Sequence, residues 1–150
     1  IKSDLGSEKD LSNCLYFGRV ASMIQGLELI AKHMVNIDFG IVLNNWMGGC
    51  IIRSNLLKEL NVVSSASKDF LGDLKLNKIF KDNLVSTKKI ISEAVLNDIS
   101  TPVLSASLNW YLNLSSSSNP SNLIQAQRDF FGRHKVQLFG SEEDVNIDWD

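Results

Sequence analysis

The chain has 150 residues, 44% of them apolar, and a formal net charge of −2. That length can bury one sizeable core without covalent staples, and the charge gives no general attraction to nucleic acid or an anionic membrane. No apolar run approaches the roughly 18 residues that a membrane-spanning helix needs.

Residues 1–9 are polar and mixed in charge, a lead-in with no secretory signal in it. The first residue is Ile1, so the chain is expected to be processed, truncated or part of something longer. From Asp10 to near Asn36, apolar residues such as Leu11, Cys14, Leu15, Ile24, Leu27 and Met34 recur at intervals of three and four. This predicts a long helix, and its wide apolar stripe predicts a central one. Asp38 is a good N-cap for a second helix over residues 39–47, which Gly48 and Gly49 then interrupt. A third helix is expected over residues 50–60, a less regular stretch over 62–75, and a fourth helix over 76–96. Thr101 and Pro102 form a start signal, cap and first helical position, for a helix over 103–114. The serines at 115–118, with Asn119 and Pro120, make a polar break. Ser121 or Asn122 would cap the next helix, which ends at Gly132.

Residues 136–139 could be extended, and residues 141–150 hold five acidic side chains and no basic one. That composition reads as a solvated tail, with room for two short β segments. The expected fold class is therefore all-α, a helical domain over 1–135 with an extended C-terminal tail over 136–150. No internal repeat is visible.

Chemistry-bearing residues are few. Cys14 and Cys50 make no disulfide framework, which with the missing signal favours a reducing compartment. His33 and His134 are far apart and no CxxC occurs, so no metal site is expected. No GxSxG, GxxxxGK[ST] or GxGxxG is present, so no catalytic or cofactor-binding residue can be named. Arg53 follows two isoleucines and two glycines. It is either a surface arginine or, on an anchored helix, a planar fork for phosphate or carboxylate. Glycines there would let neighbouring backbones approach closely. Arg128, Arg133, His134 and Lys135 are either a basic helix end that suits the macrodipole or an anion site for a small ligand. A nucleic-acid patch fits less well, because the cluster is short and the chain acidic. Phe130 and Phe131 read as core, His33 as packed or surface-facing, and Asp129 as either an orienting carboxylate or a solvated charge.

Two stretches carry a family resemblance. WMGGCIIRS at 46–54 and NLIQAQRDFFGRH at 122–134 resemble signatures of 6-phosphogluconate dehydrogenase. DISTPVLSASLNWY at 98–111 resembles the start of another helix of that family, and Ile24-Gln25-Gly26 resembles part of its YAQG helix. The resemblance implies the C-terminal helical domain of a cytoplasmic homodimeric oxidoreductase of the pentose phosphate pathway and gluconate utilisation. Such an enzyme oxidises and decarboxylates 6-phosphogluconate to ribulose 5-phosphate with NADP. It further implies that Arg53 binds the substrate phosphate, that Arg128 and His134 complete the partner subunit's site, and that the tail reaches into the partner. The family's nucleotide-binding Rossmann domain, its KxxHNxxEY segment and its GTGKWT loop are absent from these 150 residues, so the chain alone is expected to be inactive. Met47 stands where the family has a cation, and Asn146-Ile147-Asp148-Trp149 stands for its HTxW. Two rivals are a helical interaction or dimerisation module that has lost catalysis and a related 3-hydroxyacid dehydrogenase.

Overall fold

A computed structural model describes residues 6–34, 36–66, 73–116 and 119–149. It contains six helices and one two-stranded ribbon, in two compact units, residues 1–111 and 112–150. The chain is all-α, as expected.

The first unit is built on α1 (Glu8–His33), which starts two residues earlier than the apolar pattern and stops three residues sooner. Its start is set by a capping box. The Ser7 hydroxyl accepts from the Asp10 amide at 3.1 Å, and the Asp10 carboxylate accepts from the Ser7 amide at 3.2 Å. Cys14, Phe17, Val20, Ala21, Ile24 and Leu27 form its buried stripe. The stripe lies along α4 (Leu74–Leu96), which buries Leu76, Phe80, Ile90, Ile91 and Ala94. Asp73, which the pattern alone did not single out, caps α4 by accepting from the amides of Lys75 and Leu76 at 2.8 and 3.1 Å. The aromatic centre is a triad. Phe17 meets Phe80 and Tyr111 edge-on at 5.1 and 5.5 Å, and Phe80 stacks on Tyr111 at 4.8 Å.

α5 (Pro102–Ser115) begins at the proline, with its missing N–H at a position that has no intrahelical partner. Its Leu104 passes so close to α1 that a Cβ on Gly18 would stand 2.7 Å from Leu104 Cδ2. Asp38 caps α2 (Phe39–Gly49), accepting from the Gly40 amide at 2.8 Å, and α2 packs against α3 (Asn55–Ala66). The expected third helix over 50–60 is displaced to begin at Asn55. Cys50 to Ser54 form a turn instead, since no capping side chain precedes Cys50 and α2 runs through both glycines. The expected irregular stretch over 62–75 lies partly outside the described residues; within them, α3 continues to Ala66.

The second unit holds α6 (Ser121–Gly132) and an antiparallel pair, β1 (Val136–Gln137) and β2 (Asp144–Val145), in register Val136 to Val145 and Gln137 to Asp144. Neither Ser121 nor Asn122 caps α6. Pro120 occupies the cap position, and Asn119 Oδ1 accepts from the Ser121 amide at 2.9 Å. The acidic segment is not a free tail. It returns through Gly140, in the left-handed region at φ 79°, pairs with β1, and half-buries Val145 and Ile147. Its acidic side chains at 142–144 and 148 point to water while the intervening apolar ones turn inward. No described helix is long and apolar enough to cross a membrane.

Candidate functional site

The C-terminal end of α6 brings two of the sequence-predicted residues together. Arg128 and His134 line one open pocket of about 400 Å³ with Gln127, Phe131 and Gly132. Arg128 lies one turn before the helix ends, and its guanidinium reaches back toward the preceding turn. Its Nη1 donates to Gln125 Oε1 at 3.1 Å, and Gln125 Nε2 donates to the Lys135 carbonyl at 2.6 Å. Gln125 therefore ties the cation to the segment that carries His134.

That segment leaves the helix sharply. Arg133 and Lys135 both adopt the left-handed conformation, at φ 50° and 62°, on either side of His134. Non-glycine residues there cost about 1–3 kcal/mol each and persist only where their surroundings hold them. The expected glycine terminator works differently from its usual role. Gly132 is helical, and Arg133 makes the left-handed turn, donating its amide to the Asp129 carbonyl at 2.8 Å. What Gly132 supplies is space, since a Cβ there would lie 2.8 Å from Cδ2 and Nε2 of His134.

Asp129 is the buried centre of the unit, only 1% exposed. Its Oδ1 accepts from the Lys135 amide at 2.8 Å. Its Oδ2 accepts from the Ile147 amide at 2.8 Å and from the indole Nε1 of Trp149 at 3.0 Å. With its amide nitrogen turned inward, Asn146 donates to Asp129 Oδ1 at 2.7 Å and to the Arg133 carbonyl at 2.9 Å. Desolvation pushes this carboxyl up. The Ile147, Trp149 and Lys135 donors and the nearby Arg133 charge outweigh it and hold the carboxyl below the usual range. Of the two readings open for Asp129, the solvated charge is the one the structure excludes.

Phe130 and Phe131 correct the sequence reading. Both are exposed, at 58% and 76%, and the inward position of this helix turn is taken by Asp129 instead. Phe130 meets Trp149 edge-on at 5.6 Å.

Arg53 belongs to the other unit. It is exposed and lies in the turn between α2 and α3, with its amide donating to the Cys50 carbonyl at 3.1 Å. It is not on an anchored helix, and Ile51 before it is fully exposed. Nothing described stands within 4 Å of a Cβ at Gly48 or Gly49, so the expected close backbone approach is not made there. Beside Arg53, the Ser54 hydroxyl is buried without a hydrogen-bond partner among the described residues.

A family model described as 6-phosphogluconate dehydrogenase, C-terminal domain, matches residues 3–149. The chain belongs to this family. A decarboxylating 6-phosphogluconate dehydrogenase of Treponema pallidum is 34% identical over 135 residues, covering 85% of this chain and 28% of its own length. One of Saccharomyces cerevisiae is 34% identical over 158 residues, covering 93% and 32%. The chain thus spans under a third of the length of these relatives. Among solved structures, Plasmodium falciparum 6-phosphogluconate dehydrogenase superposes with a TM-score of 0.82 at 32% identity, over 97% of this chain and 32% of that one. That enzyme is described in apo form, with its cofactor NADP+ and with its substrate 6-phosphogluconate. In this 6-phosphogluconate dehydrogenase domain, sequence alone located the Arg128–His134 pair but missed Gln125 and left Asp129 undecided. The available signal was the spacing of Val145, Ile147 and Trp149, alternate residues that an extended segment would set on one side.

Proposed function

We propose that this domain serves an enzyme that oxidatively decarboxylates 6-phosphogluconate to ribulose 5-phosphate with NADP, in the cytoplasm and as a homodimer. Arg53 holds the substrate phosphate, and Arg128 and His134 complete the site of the partner subunit. The observation that carries this reading is the shared pocket of Arg128 and His134 at the end of α6. Two cationic or proton-donating side chains facing one open depression suit a phosphate dianion, which takes charge-assisted bonds from a guanidinium fork. The phosphate is remote from the carbons that react, so these residues act by orienting the sugar acid rather than by moving its protons. Exposed apolar side chains in both units, among them Ile51, Leu123, Phe131 and Phe139, support a dimer in which they meet a second subunit.

NADP does not fit the described residues. They contain no parallel sheet and no glycine-rich strand-to-helix turn, so no step is assigned to it on this domain. The domain by itself should show no dehydrogenase activity.

Two single variants of the whole enzyme test the reading. Arg53→Ala and Arg128→Ala should each weaken 6-phosphogluconate binding by about ten- to a hundredfold, the loss of one charge-assisted interaction, with NADP binding nearly unchanged. After the two variants are mixed and assayed at a substrate concentration too low for either alone, each heterodimer has one site with both arginines and one with neither. Recovery of up to half the activity supports the shared site. No recovery despite proven subunit exchange refutes it. Wild-type binding by both variants would refute the role given to these arginines, and no 6-phosphogluconate binding by the unaltered whole protein would favour the rival, a helical dimerisation module without catalysis.

A further inference from the structure

The Arg128–His134 pocket does not end at the residues that line it. Asp129 lies outside the lining, yet it fixes the backbone on both sides of His134. Its carbonyl takes the Arg133 amide and its Oδ1 takes the Lys135 amide, both at 2.8 Å. These are the two left-handed residues, which need such restraint to persist. The other carboxylate oxygen takes the Ile147 amide and the Trp149 indole. Asn146 bridges the two sides, reaching the Arg133 carbonyl and Oδ1. One carboxylate thus joins the turn that presents His134 to a segment 17–20 residues further along the chain.

We propose that Asp129 is the positioning residue of this site, and that docking of residues 146–149 on its carboxylate is what holds His134 over Gly132 and in the pocket. The claim rests on the reading of His134 as a substrate contact, but its structural half stands apart from it. With the segment docked, all four donors converge on a fully used acceptor. With it undocked, the carboxylate is open to water and free to turn, water competes for its bond to the Lys135 amide, and the turn relaxes to ordinary backbone angles. The state of the C-terminal segment is then transmitted to the substrate pocket without touching it.

Two variants separate the links. Asp129→Asn keeps the shape but replaces one oxygen by an NH2 group. Whichever way the amide turns, that group faces an N–H donor. Trp149→Phe removes a single donor from Oδ2 and keeps a ring beside Phe130. In the labelled protein, Asp129→Asn should speed hydrogen exchange at the Lys135 and Ile147 amides by about tenfold or more and shift the His134 imidazole resonances, with α1 and α4 amides unchanged. Trp149→Phe should move the His134 resonances in the same direction by less, although it touches only the far oxygen. In the whole enzyme, Asp129→Asn should raise KM for 6-phosphogluconate about tenfold with a smaller change in kcat.

Unchanged His134 resonances in Trp149→Phe, with its indole bond lost, would overturn the coupling; so would unchanged Lys135 exchange in Asp129→Asn. If Asp129→Asn does not fold, the milder Trp149→Phe decides alone. His134→Ala keeps the two readings apart. Wild-type substrate affinity in that variant sinks the substrate contact, while the exchange and resonance results still judge the positioning.

Discussion

In the bundle, the buried side chains are rings and branched alkyl groups: Phe17, Phe80 and Tyr111 form the triad, and Ile24, Leu27, Leu57 and Leu60 are fully buried as well. Among the described residues of 112–149, the most buried side chain is a carboxylate, and the large apolar groups Leu123, Phe131 and Phe139 are exposed. The first region draws its stability from apolar area removed from water, which is non-directional and tolerant of small shifts. The second draws it from a few directional bonds to one acceptor, which hold only in one arrangement. A region of the first kind makes a scaffold. A region of the second kind can set two side chains at a fixed place with little mass, and it can also be released by changing one group.

The largest expected effect lies in the bundle. Phe17→Ala removes the ring that contacts both Phe80 and Tyr111 and should cost about 3–5 kcal/mol in urea unfolding. A cost below about 1 kcal/mol would mean that the triad is not the centre of the core.

Acid should act on the other region first. The Asp129 carboxyl is held below its ordinary value of about 3.9. A group whose folded pKa is lowered contributes in full above its unfolded pKa, and the contribution fades as pH falls through the folded one. The Trp149 indole resonance should therefore be steady from neutral pH to near 4, then move to a solvent-exposed position at lower pH. Lys89, then Ser86 and Ser7, hold the Asp10 carboxyl down as well, so the bundle also loses something in acid. The bundle keeps its apolar core, and α1 helicity should outlast the Trp149 signal. Simultaneous loss of both signals would break the distinction between the regions.

The same substitution in both places gives the smallest effect. Val20 is fully buried in α1, whereas Val136 is 9% exposed and borders an open cavity of about 560 Å³. Val20→Ala should cost about 2–3 kcal/mol, transfer plus cavity, and Val136→Ala about 1 kcal/mol, because no enclosed void forms. Urea unfolding followed by a probe in each region measures the difference, and equal costs would count against it.

The two regions also differed in what their sequence disclosed. Helical periodicity, the Asp38 cap and Thr101-Pro102 found α1, α2, α4 and α5 within a few residues, because these signals are local. The α3 start was misplaced because Cys50-Ile51-Ile52 is apolar enough to look helical while the turn that holds it depends on where α2 stops. Arg128 and His134 were visible as a pair because a helix end brings residues six apart together. The role of Asp129 was not, since its partners Ile147 and Trp149 lie beyond a hairpin whose return no local pattern dictates. The acidic composition of residues 141–150 concealed the alternation that packs them.

Gly132 limits variation in a way that its backbone angles do not reveal. The residue is helical, so alanine would ordinarily be a harmless and even favourable exchange. Here every other amino acid brings a Cβ into the volume that the His134 ring already fills. The constraint is set by a neighbour two positions away, and it would vanish if that imidazole were gone. In the language of genetics the two positions are epistatic, because a replacement at 132 acts by making the exposed His134 ring swing aside and has nothing to displace where 134 has already changed.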